Sequence, residues 1–168
     1  DTVDHLVNDR NAPTFHDEFE EYFWRNRLAL HRLVRADFTQ RVVNDLRFIY
    51  PYQNVLVVDN KWTHQIEFSN VLKRKHYEHC DGFLGSNGFD IYVFESGKMT
   101  KGGDGGFANW CFEGNTTRDG SKVTFRPILT PQQIADQNQA RRQAEEQARR
   151  QAEEQRQAEE QAQAHRGP

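Results

Sequence analysis

Phe89-Asp90-Ile91-Tyr92-Val93-Phe94-Glu95 is the stretch from which the fold is read. Its period is two, so Phe89, Ile91 and Val93 share one face and Tyr92 and Phe94 the other. Aromatic side chains on both faces predict a central strand, because a strand with one wet face would carry polar residues there. Upstream, Val55-Leu56-Val57-Val58 is a short continuous apolar run, β-branched at three positions, and reads as a buried strand. Between the two, Trp62, His64, Ile66 and Phe68 alternate, which favours a strand within 62–72, and 77–84 reads as another, interrupted by Gly82.

Downstream lies Gly102-Gly103-Asp104-Gly105-Gly106-Phe107-Ala108-Asn109-Trp110-Cys111-Phe112-Glu113-Gly114-Asn115. The glycines permit positive φ and a close backbone approach to a partner. From Phe107 to Glu113 the pattern is that of a strand with Ala108, Trp110 and Phe112 on one face. Arg118-Asp119-Gly120-Ser121 then marks an Asp-Gly turn, and Val123 and Phe125 a last strand. The expected sheet is an antiparallel meander.

Before the sheet the period is helical. Residues 1–13 are polar, end at Pro13 and read as an arm. Thr14 is the expected N-cap, and Phe15, Phe19, Tyr22, Phe23, Leu30, Leu33 and Val34 predict one helix over 15–35. Asp37 and Gln40 open a second helical segment, striped by Phe38, Val42, Leu46 and Ile49 and stopped by Pro51. Helices packed on one face of an antiparallel sheet make the expected class α+β. The globular domain spans 14–129. Thr130, Pro131 and Gln133 then start another helix, a low-complexity charged tail over 130–168. In that tail Ala140-Arg141-Arg142-Gln143-Ala144-Glu145-Glu146-Gln147 repeats from Ala148, and Glu145–Arg149 and Glu146–Arg150 stand four apart in the favourable order. With alanine as its recurring apolar side chain the repeat offers no coiled-coil seam of large residues. An exposed single helix and self-association through 131–168 are both open.

Composition narrows the classes. With 22 Lys and Arg against 25 Asp and Glu, the net charge is −3. No basic excess favours a generic nucleic-acid role. No apolar run reaches the roughly 18 residues that span a bilayer. Lys73-Arg74-Lys75-His76 is a short basic cluster, read as a solvated turn or a phosphate contact.

Three places carry candidate chemistry. The first is the glycine loop with Asp104, which lacks the Lys-Ser/Thr ending of a phosphate loop and the repeated acids of a calcium loop. The second is His64, His76 and His79 with Glu67, Cys80 and Asp81. On a strand His76 and His79 point to opposite faces, and the four-ligand spacing of structural zinc is missing, so no metal and no cofactor are expected. His79 with Asp81 or Asp104 remains the pair for a small hydrolase or nuclease, without a nucleophile motif. The third is aromatic surface: Trp62, Tyr77, Tyr92 and Trp110, with Asn109 beside Trp110. Core packing explains Trp110 readily; Trp62 and Tyr92 are better placed to stack on a sugar or grip a protein.

The run Asp104 to Gly114, preceded by Tyr92-Val93-Phe94-Glu95-Ser96-Gly97, resembles a pattern of small secreted fungal proteins of uncharacterised function, over roughly 54–126. Cys111 departs from it, standing where a small residue is expected. The resemblance implies secretion and brings no catalytic residues. In that compartment Asn115-Thr116-Thr117 is a glycosylation sequon, and a Cys80–Cys111 disulfide is expected if the two strands pair directly. The reading is therefore a secreted, non-enzymatic binding or interaction protein, effector-like or toxin-like, with a protein or glycan ligand at Asp104, Asn109, Trp110, Tyr92 and Trp62. The alternatives are the hydrolase at His79 and an assembly protein acting through the C-terminal helix.

Overall fold

A computed structural model describes residues 13–80, 85–103 and 109–167. The described residues form two compact units, divided between Ile128 and Leu129. In the first, helices α1 (Glu18–Arg25), α2 (Arg27–His31) and α3 (Arg35–Ile49) precede strands β1 (Asn54–Asp59), β2 (Gln65–Cys80), β3 (Ser86–Thr100), β4 (Trp110–Glu113), β5 (Thr116–Asp119) and β6 (Lys122–Phe125). All strand pairings are antiparallel, so the class is α+β. The second unit is one helix, α4 (Pro131–Ala164).

The N-terminal helix differs from the expected 15–35. Asp17, not Thr14, is the N-cap: its Oδ1 accepts from the Phe19 N–H at 2.9 Å. Its Oδ2 accepts from Lys73 Nζ at 2.7 Å, and the two bonds hold the carboxyl below its ordinary range. The helix then breaks at Asn26, whose side-chain amide donates to the Tyr22 carbonyl at 2.8 Å and competes with the helical ladder.

β3 organises the sheet. β2 runs along one of its edges, from Gln65 opposite Thr100 to Cys80 opposite Ser86. The other edge is shared, by β1 opposite 89–94 and by β6 opposite 97–100. β4 adds outside β1, and β5 outside β6. The two strands read separately at 62–72 and 77–84 are thus one, bent by a bulge between Val71 and Lys73, with Asn70 at φ 53°.

Asn54 holds the fork where β1 and β6 diverge. Fully buried, it donates from Nδ2 to the carbonyls of Glu95 (2.7 Å) and Arg126 (2.9 Å) and accepts at Oδ1 from the Asn115 N–H (2.9 Å). Gly114, at φ 148°, lies so close that a Cβ there would sit 2.0 Å from Asn54 Oδ1.

The two faces of the sheet have separate cores. Val55, Val57, Phe89, Ile91 and Val93 pack against Phe19, Phe23, Leu30, Phe38, Val42 and Leu46 of the helices. On the opposite face Leu56, Val58, Tyr92, Phe94, Met99, Trp110, Val123 and Phe125 form a second cluster. Its rings interlock: Phe68 lies flat on Phe94 at 3.7 Å and meets Tyr92 edge-on at 5.4 Å.

The expected disulfide does not form, and Cys80 and Cys111 are free. β2 and β4 are separated by β3 and β1, beyond the reach of a bridge. Cys111 also packs into the helix-side core, where burial pushes its thiol up to about 11.

Candidate functional site

The second face carries an open cleft of about 680 Å³ along the β2–β3 pair. Its floor is aromatic, from Tyr92 of β3 and Phe68 of β2. Arg74 extends over the Tyr92 ring at 5.3 Å, while Asn60, His64 and Asp90 add polar groups. Trp62 completes the lining and is 44% exposed, a large ring offered to solvent.

Alternation along β2 decides which side chains reach the cleft. Lys73 and Lys75 turn to the helices and pair with Asp17 (2.7 Å) and Glu20 (3.0 Å). Arg74 and His76 take the opposite face. The basic cluster of the sequence is therefore divided between two faces. His76 is held between two carboxylates, Glu78 Oε1 at 2.6 Å from Nε2 and Asp90 Oδ1 at 3.1 Å from Nδ1. Those bonds, to Glu78 first and Asp90 second, raise its pKa above the ordinary histidine value.

The segment bearing Trp62 is fastened from two sides. His64 Nδ1 accepts from the Gly102 N–H at 3.0 Å, which leaves Nε2 as the donor to the Asp59 carbonyl at 2.7 Å. The Asp59 Oδ1, buried, lies 3.4 Å from the same Nε2. Gly103, at φ 72°, rests on the indole, and a Cβ there would stand 2.3 Å from the Trp62 ring. The start of the glycine loop thus serves as a support for Trp62 and His64.

Of the residues singled out in the sequence, Trp62 and Tyr92 come together in this cleft. Trp110 does not: it is 3% exposed, packed on Phe112 at 5.1 Å, with the Arg118 guanidinium 4.8 Å from its ring. Asn109 accepts from Arg35 Nη1 at 3.2 Å, a bond that ties it to the start of α3. Asp104 and Asp81 lie outside the described residues. His79 is buried in the helix-side layer, stacked on Phe38 at 4.4 Å with Nε2 3.1 Å from the Leu30 carbonyl. That position offers no support to a hydrolase built on it. Among the described residues no three His, Cys, Asp or Glu side chains are grouped to hold a metal ion, and no helix is long and apolar enough to cross a membrane.

Asn60 and Asp90 are polar cleft residues that sequence reasoning passed over, and Arg74 was read only as part of the basic cluster 73–76. The alternation of Trp62, His64, Ile66 and Phe68 was a usable signal for the first half of the cleft. Continued past residue 70, the even positions lead to Arg74 and His76 on this same face; the irregularity between Val71 and Lys73 instead brings the odd-numbered Val71 into the lining, which strict alternation would not.

Comparison with known proteins gives a partial likeness. A 61-residue segment is 44% identical to the stress response protein YvgO of Bacillus subtilis strain 168, covering 32% of this chain and 38% of that protein. The match thus spans well under half the length of that relative. No family model and no solved structure matches the chain. The relative is bacterial, which overturns the fungal reading and withdraws the secreted localisation drawn from it. The glycoprotein reading of Asn115 falls with it; the Asn115 side-chain amide donates to the Pro127 carbonyl at 3.3 Å.

Proposed function

We propose that the globular unit is a non-enzymatic binding module whose ligand enters the cleft between Trp62 and Arg74. One observation carries the reading: an indole 44% exposed, fixed in place by a glycine, at the edge of a cleft with an aromatic floor. Exposed rings lose little conformational entropy on binding, and a prearranged ring avoids most of the ordering cost. A few polar groups around an apolar floor are what orient a small ligand. The name of the Bacillus relative supplies a setting, stress, and no ligand.

A fragment screen followed by amide and indole NMR shifts tests this. Shifts should concentrate on the Trp62 indole N–H, the Asn60 side-chain amide and the backbone around Arg74. A screen whose hits gather on the helical layer, or that yields none, would remove the proposal.

A further inference from the structure

Resting on that binding reading, we infer that the cleft takes a neutral oligosaccharide of pyranose rings. Arg74 and Asp90 are the lining's two ionised groups of opposite sign, and they stand on paired strands of the same face. An anionic ligand would be brought up to the Asp90 carboxylate, and a cationic one to the Arg74 guanidinium, each at a cost in like-charge repulsion. A neutral ligand meets neither penalty.

The polar groups are mixed in kind. Arg74 donates only; the Asp90 carboxylate accepts only, with Oδ1 already 3.1 Å from His76 Nδ1 and Oδ2 left for a ligand; the Asn60 amide does both, its Nδ2 lying 3.4 Å from the same His76 nitrogen. A ligand that satisfies all three must itself carry many donors and acceptors at short spacing, as a row of hydroxyl groups does. The same ligand must also present an apolar surface to Trp62. The C–H face of a pyranose ring does so while its hydroxyls point outward to the rim, and Trp62 with 44% of its surface exposed is such a platform. The His64 ring is already committed at both nitrogens, to Gly102 and Asp59, so it shapes the wall and leaves recognition to its neighbours. The cleft is open and about 680 Å³, which lets a chain pass through and binds a short stretch of it.

The test uses the full chain and follows the Trp62 indole N–H signal, assigned by its loss in Trp62→Phe, with titration calorimetry giving the affinity of every variant, those without the indole included. The probes are hexamers of glucose and of N-acetylglucosamine, a heparin hexamer and a mixed peptide library. The inference expects at least one neutral hexamer to shift that signal in a saturable way. Trp62→Ala should weaken binding roughly tenfold or more, and Asp90→Asn and Arg74→Ala should each weaken it severalfold. Trp62→Phe, which keeps a ring, should bind at an intermediate level. If heparin or peptide shifts the signal and neutral hexamers do not, the neutral-oligosaccharide inference is wrong and the cleft still binds. If a neutral hexamer binds with equal affinity to Trp62→Ala, the site lies elsewhere and the inference falls. If no probe moves the signal, both the sugar class and the binding reading are overturned.

Discussion

Asn54 shows how much one side chain can decide. Its amide serves three backbone groups from three segments, at the carbonyls of Glu95 and Arg126 and the N–H of Asn115. Asn54→Ala strands all of them in a buried place, and the expected loss is about 3 kcal/mol or more, read from the midpoint of urea unfolding. Gly114→Ala should cost a comparable amount by a different route, since a Cβ would fall 2.0 Å from Asn54 Oδ1 at φ 148°. His76 supplies a pH marker. Its pKa is raised in the folded protein by Glu78 and Asp90, so this contribution to stability is present at low pH and is lost as pH rises through the folded value. An NMR titration should place His76 above the ordinary 6.5, and Asp90→Asn should bring it down. An unchanged midpoint in that variant would show that Asp90 is not a partner in solution.

At the scale of the element, β2 is the most informative. It is an edge strand of 16 residues, and such an edge invites further pairing. A bulge interrupts it, and Lys73 and Lys75 are drawn onto the helices. Asn70 holds the irregularity at φ 53°, its amide donating to the Glu95 carboxylate. Asn70→Val should destabilise by about 1–2 kcal/mol while Asn70→Gly stays near neutral, because a β-branched residue resists the left-handed region. Equal midpoints for the two variants would contradict this. Helix α4 depends on local terms alone, for none of its residues is buried. Its start is a capping box in which Thr130 Oγ1 accepts from the Gln133 N–H at 3.1 Å and Gln133 Oε1 from the Thr130 N–H at 2.9 Å. Thr130→Ala should cost the helix start about 1 kcal/mol, seen as faster hydrogen exchange in the first turn.

For the whole molecule, the separation of the cysteines is a direct readout of strand order. Two thiols should titrate in the unfolded, unreduced protein. In the native state Cys80, exposed at the end of β2, should react rapidly. Cys111, pushed up to about 11 and packed against the helices, should react slowly, at a rate limited by opening. Equal native reactivity would be incompatible with β4 lying beside β1 under the helical layer.

The α+β class, the central place of Phe89–Glu95 and the start of α4 were legible in the sequence, because each follows from near-neighbour rules: strand alternation, helical spacing and capping. The N-cap at Asp17 and the break at Asn26 are local as well, yet they turn on which of several competing polar side chains reaches the backbone. Strand order is a different kind of fact. That β1 and β6 share an edge of β3, and that β2 and β4 lie apart, depends on contacts between residues distant along the chain. For that reason the disulfide failed and Trp110 sank into the core while Trp62 stayed outside. The cleft is of both kinds: alternation carries Arg74 to the face of Trp62, whereas its place over the Tyr92 ring and the entry of Val71 into the lining depend on the register of β2 against β3, which only the packed sheet fixes.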